Sequence, residues 1–298
     1  MDLKDLAIGI VFLLQSTVGI LGNLSLLSCY FIHYHIEQTL KTTDVILTHL
    51  FIANFLIILS KGMLETMKAF GMKGFFNDFS CKLLLYIQRL GRSLSMGTTC
   101  LLTVFQAITI SQGDSCWNRL KVKAPKHIGL FTFLCWILYI SVNMIFPVYK
   151  YTKGNSNNLT HKNDMKYCST VGHDEFTGSL YTAFFVFPEI LLSVLIIWSS
   201  SSMVLILYRH KQQIQYMRCI RVSSKISPES KATQSILVLV FTFLGFYALS
   251  SILQGCVALI YNPSWWLLNI TAIISLCFPT LGPFVMSHYA TVPRLCYS

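Results

Sequence analysis

Charge is scarce in this 298-residue chain. Asp, Glu, Lys and Arg together make up 12% of it, against 54% hydrophobic residues, and a soluble domain carries about 25% charge. So large an apolar share needs lipid around it rather than one buried core. Chemistry-bearing patterns are missing too. The chain has no His-Glu-x-x-His helix, no Gly-x-Ser-x-Gly elbow, no phosphate-binding glycine loop and no pair of aspartates within its apolar runs, so nothing supports an enzyme or calls for a cofactor. No internal repeat halves the chain, as paired broken helices of a transporter would, and no filter-like segment marks a channel. The formal net charge is +11, but the cations cluster between apolar runs rather than on a soluble basic face, which argues for membrane topology and against a nucleic-acid partner.

Seven long apolar runs account for most of what is present. They cover roughly residues 6–31, 45–60, 82–110, 127–147, 179–207, 233–260 and 265–289, each long enough to cross a bilayer or nearly so. The expectation is an all-α membrane protein, a seven-transmembrane-helix bundle forming a single domain over 1–298 and lying multi-pass in the plasma membrane. The first run lacks a basic leader and a small-residue cleavage site and reads as a retained span. Thr42, Thr43 and Asp44 are capping types ahead of the second run, the stretch from Glu65 to Ser80 reads as a loop, and Pro188 is expected to kink the fifth helix. Twelve Lys and Arg side chains fall on loops one, three and five with the tail, and nine on the opposite side, where seven acids dilute them. The positive-inside rule then puts the N-terminus outside and the C-terminus in the cytosol. Lys121, Lys123 and Lys126, in the basic stretch before the fourth run, face the cytosol, where they contact either anionic membrane lipid or a protein partner.

Cysteine placement bears on the same orientation. Of ten cysteines, only Cys81 and Cys168 fall in or beside expected outer loops, so the one outer connectivity joins the long second outer loop to the top of the third span; the others lie in spans or in the reducing cytosol. Three Asn-x-Ser/Thr matches occur. Those at Asn23 and Asn269 lie inside spans, which leaves Asn158 as the credible glycan acceptor.

The segments Asp44–Leu50, Gly91–Cys100, Phe105–Ser111, Leu120–Lys126, Ser227–Leu237 and Phe278–Thr280, followed by Pro283–Val285, resemble vomeronasal type-1 receptors. The resemblance runs over nearly the whole chain. It implies a G-protein-coupled chemosensory receptor for pheromone-like small molecules, with a heterotrimeric G protein of the inhibitory type as partner. Gln112 stands where that family usually has Pro. Gly22-Asn23, Trp136 and Pro188 look like landmarks of the broader rhodopsin-like group, yet the third span ends in Gln106-Ala107-Ile108 rather than Asp-Arg-Tyr, and no proline lies between Thr233 and Ile260. The usual inner latch and sixth-helix kink are therefore absent, and Gly245 and Gly255 are the candidate flexible points. A bitter-taste-type receptor and, from another class, a small-molecule transporter are the alternative readings.

Ionisable groups inside lipid mark functional positions. Arg89 and Arg92 lie about 12 and 16 Å down the third helix from Cys81, and Glu189 about 15 Å down the fifth from Ser179, at about 1.5 Å per residue. At matching depth, one arginine is expected to pair with Glu189 while the other offers donors to an acceptor on a ligand held among the outer halves of spans three, five, six and seven. No Asp or Glu occurs from Lys82 to Ile110, and no Lys from Trp265 to Tyr289. A cationic amine thus has no counter-ion on the third span and a retinal Schiff base no lysine on the seventh, so anionic or carbonyl-bearing ligands fit better.

Overall fold

The computed structural model describes residues 3–38, 41–72, 78–110, 115–156, 187–218, 228–260 and 263–288. Among these, every long element is helical: α1 (Leu3–Glu37), α2 (Thr42–Ile57), a π-helical turn (Ile58–Gly62), α3 (Met63–Ala69), α4 (Asp78–Ile110), α5 (Ser115–Ser156), α6 (Phe187–Arg218), α7 (Pro228–Leu259) and α8 (Trp265–His288). Seven stretches are long and apolar enough to cross a membrane, with α2, the π-turn and α3 forming one of them. Helices are the only open-ended answer in hydrocarbon, because they satisfy their backbone groups internally.

α4 is the axis of the bundle. Of its most apolar window 67% is buried, against 17% for α5, and it packs on α2, α5, α6 and the π-turn. Gly91 lets α2 come close. A Cβ there would stand 2.9 Å from Ile57 Cγ1 and 3.0 Å from the Ala53 carbonyl. Below this contact Leu47, Leu50, Phe51, Met96, Leu102, Leu239, Val240 and Phe278 form the largest buried cluster; at the opposite end Phe12, Ile58 and Leu276 form a second. Spans one and seven run parallel, as an odd count requires, and Trp265 Nε1 donates to Asp5 Oδ1 at 3.1 Å where both begin.

Buried polar groups join the spans at defined points. Pro283 has no N–H to give the Pro279 carbonyl one turn before it, so that acceptor is left open inside α8. Asn23, wholly buried in α1, donates its Nδ2 to this carbonyl at 3.0 Å and to Gly19 O at 2.7 Å. Ser95 Oγ donates to Asn54 Oδ1 at 3.2 Å, which holds Asn54 facing inward, and Trp136 Nε1 donates to His49 Nδ1 at 3.2 Å.

Several boundaries differ from the sequence reading. The second span does not stop at Ser60: it continues through the π-turn to Ala69. Glu65 and Lys68 read as loop residues and Lys61 as an outer-side cation beyond the second run, yet Lys61 is buried and Lys68 Nζ meets Glu65 Oε1 at 3.2 Å along the helix. The capping types before the second span are not used. Lys41 occupies the cap position and no side chain bonds there. The helix of the fourth span starts at Ser115, ahead of the basic stretch, so Lys121, Lys123 and Lys126 sit on helix rather than in a loop. The described part of α6 begins at Phe187 with Pro188 next to its edge, so the expected kink there involves residues outside the described ones. Gly245 and Gly255 meet nothing within 4 Å, so neither serves a helix contact.

Candidate functional site

A cleft opens among spans two, three, six and seven. Phe243, Phe246, Tyr247 and Phe278 supply an aromatic wall, Ile57 and Ile274 aliphatic surface, and Lys61, Gln88, Arg92, Ser95, Ser250 and Ser275 the polar groups. An apolar wall with a few convergent polar groups is the usual form of a small-molecule site. The expected set of spans was three, five, six and seven. Span two takes the place of span five in the lining, with Ile57 from the end of α2 and Lys61 from the π-turn; span five lines none of it and is linked to it only by the pairing of Glu189 with Arg92.

Arg92 holds the centre. Its Nε lies 3.7 Å from Glu189 Oε1, its Nη2 donates to Ser251 Oγ at 2.8 Å, and its guanidinium carbon stands 4.5 Å from the centroid of the Tyr247 ring. One planar cation thereby connects α4 to α6 and α7, a use suited to guanidinium, whose fixed donors and flat face engage a carboxylate, a hydroxyl and a ring together. Arg92 and Glu189 are each about a quarter to a third exposed. Arg89, one turn earlier on α4, is half-buried and engaged, and does not line the cleft. Of the three charged residues singled out by depth, the structure brings Arg92 and Glu189 together and sets Arg89 apart.

Lys61 is the polar group that sequence reasoning missed. It was counted with the outer side, but its exposure is 8% and it lines the cleft. The signal was present in its surroundings, since Val45–Leu64 is apolar on both sides of it and an isolated Lys in such a run is a functional candidate. Cys81 is disulfide-bonded, and Cys168 lies outside the described residues. Cys29, in the latter half of α1, is also disulfide-bonded, a departure from the expectation of reduced thiols in the spans. Asn158 lies outside the described residues; of Lys121, Lys123 and Lys126, only the Lys126 side chain is described, and it is exposed.

Seven spanning helices around a polar-centred cleft define a multi-pass membrane protein of the bundle type. Residues 6–298 match the family described as the vomeronasal organ pheromone receptor family, and the chain belongs to it. It is 47% identical to human vomeronasal type-1 receptor 4 over 99% of this chain and 98% of that one, and 50% identical to human vomeronasal type-1 receptor 2 over 95% and 72%. A zebrafish olfactory receptor class A-like protein 1 is 26% identical over 96% and 90%. The protein is thus a chemosensory receptor of the G-protein-coupled type at the cell surface, and not an enzyme; membership sets aside the bitter-taste and transporter readings.

Proposed function

We propose that this receptor takes a small organic, pheromone-like ligand into the cleft between spans two, three, six and seven and then activates a heterotrimeric G protein of the inhibitory type. The observation that carries the reading is the placement of Arg92, which faces the cleft while tying α4 to Glu189 on α6 and to Ser251 and Tyr247 on α7. A ligand that competes for Arg92 changes the contacts among three spans, and a ligand shifts a population only through contacts that differ between states. With no Asp-Arg-Tyr at the end of the third span, this three-way contact is the two-state element. Arg89 remains a secondary ligand-facing residue, reached if α4 turns.

In this reading the N-terminus is outside, Cys81 bonds Cys168 across the second outer loop, Asn158 carries a glycan, and Lys121, Lys123 and Lys126 face the G protein. The test is a cell reporter of cyclic-nucleotide lowering, challenged with volatile and steroid-like compounds, with and without the toxin that ADP-ribosylates inhibitory-type α subunits. Responses abolished by the toxin and by Arg92→Gln support the reading. Toxin-resistant responses remove the inhibitory type, and responses untouched by Arg92→Gln remove the cleft.

A further inference from the structure

Two cations, Lys61 and Arg92, line the cleft. Arg92 is already engaged by Glu189, Ser251 and Tyr247. Lys61 is not: among the described residues no carboxylate, hydroxyl or carbonyl makes an ion pair or hydrogen bond with its ammonium, although the residue is over nine-tenths buried. The groups facing it deepen the imbalance. Gln88 and Arg92 come from α4, Tyr247 and Ser250 from α7, Ser275 from α8, and no acid lines the cleft. Glu65 follows one turn on, but its carboxylate is held by Lys68 at 3.2 Å. The Tyr247 hydroxyl, on the same wall, is buried with Arg92 and Glu189 beside it, and makes no hydrogen bond of good geometry among the described residues.

The backbone has been shaped to put Lys61 there. A π-turn is rare and gathers at functional sites, and this one spans Ile58–Gly62 with Lys61 inside it. Its loosened carbonyls are partly met by side chains: Ser60 Oγ donates to Leu56 O at 2.6 Å, and Thr66 Oγ1 to Gly62 O at 2.7 Å. Behind it α1 closes in, since any side chain at Gly62 would run into Ser16. Lys61, the residue before Gly62, is buried and lines the cleft.

Resting on the ligand reading above, we infer that Lys61 is an anion-binding subsite, and that the receptor's ligands carry a carboxylate, sulfate or similar anionic group on an apolar frame. The anion meets the Lys61 ammonium and accepts from the Tyr247 hydroxyl, while the frame lies against Phe243, Phe246 and Phe278. Charge-assisted bonds in a low-dielectric pocket are the strong ones, and an ammonium without a partner in the empty state gives the ligand a contact that no protein group competes for. A neutral ketone or alcohol of the same shape leaves the ammonium uncompensated.

The test uses the full-length receptor in nanodiscs of zwitterionic lipid, with 2-naphthoate, methyl 2-naphthoate and 2-naphthalenesulfonate as probes and equilibrium binding as readout. The wild type is expected to hold both anions at least about tenfold more tightly than the ester, as a charge-assisted bond gives. Lys61→Gln erases that preference and Lys61→Arg keeps it. Without ligand, Lys61→Met melts higher than the wild type, because it removes a buried charge that has no partner. Anion binding unchanged by Lys61→Gln, an ester held as tightly as the acid, or a lower melting point for Lys61→Met overturns the inference while the cleft stands as a ligand site. Failure of all three probes to bind the wild type counts against the cleft itself and takes the inference with it.

Discussion

Asn23 shows how a single side chain repairs a defect that the sequence itself introduces. Pro283 opens the Pro279 carbonyl, and the Asn23 amide closes it from another helix at 3.0 Å. Asn23→Leu leaves that carbonyl buried without a donor, and the expected loss is about 1–3 kcal/mol, the cost of an unsatisfied buried group; thermal unfolding of the detergent-solubilised receptor measures it, and an unchanged midpoint refutes it. At the same scale, surface receptor mapped under non-reducing conditions is expected to yield Cys81 and Cys168 in one peptide pair, and in the loop-entropy picture closing so long a segment stabilises by about 4–5 kcal/mol. Recovery of both as free thiols excludes the pair. Single residues were unevenly legible. Arg92 and Glu189 stood out because charge in an apolar run is rare and their depths could be counted from helix rise. Lys61 was hidden by its neighbours Glu65 and Lys68, which made an inward-facing turn look like the start of a loop.

Helices as elements were easier to read than their ends. Apolar length alone located all seven spans, since nothing else satisfies a backbone in lipid. The ends failed where polar residues continue a helix into water or into the bundle: α5 begins at Ser115 and α3 continues to Ala69, and neither has an apolar signal there. No hydrophobic period announces a π-turn either, because it is held by backbone and hydroxyl bonds. Closeness of packing was equally silent, and glycines sort by it in the structure. Gly91→Ala puts a methyl group 2.9 Å from Ile57 Cγ1 and 3.0 Å from the Ala53 carbonyl, and overpacking of this kind costs about 1–3 kcal/mol. Gly245→Ala meets open space and is expected to gain about 0.5–1 kcal/mol from helix propensity. Melting both variants beside the wild type checks the contrast; equal midpoints for the two contradict the packing of α2 on α4.

For the molecule as a whole, the proposed reading separates ligand binding from signalling along α4, with the cleft beside Arg92 and the basic helical stretch of α5 beyond its far end. Replacing Lys121, Lys123 and Lys126 together by Gln is expected to abolish G-protein activation while surface level and orientation hold. Anchoring to anionic lipid, at about 1 kcal/mol per residue, predicts instead a loss of correctly oriented receptor with signalling per molecule intact, and flow cytometry with an epitope at each terminus separates the outcomes. Architecture and family were legible in the sequence because both rest on long patterns. The identity of the lining spans was not, because it depends on helix rotation, which the π-turn alters locally. In the proposed reading the two ends are joined by the contact of Arg92 with Glu189, 3.7 Å apart across α4 and α6. A double-mutant cycle with Arg92→Gln and Glu189→Gln, read as ligand-independent G-protein activation and as thermal stability, tests it most directly. The account predicts raised resting activity in each single variant and a coupling of about 0.5–3 kcal/mol in stability, as for residues in direct contact. Strictly additive stabilities, with resting activity at the wild-type level in all three variants, contradict it.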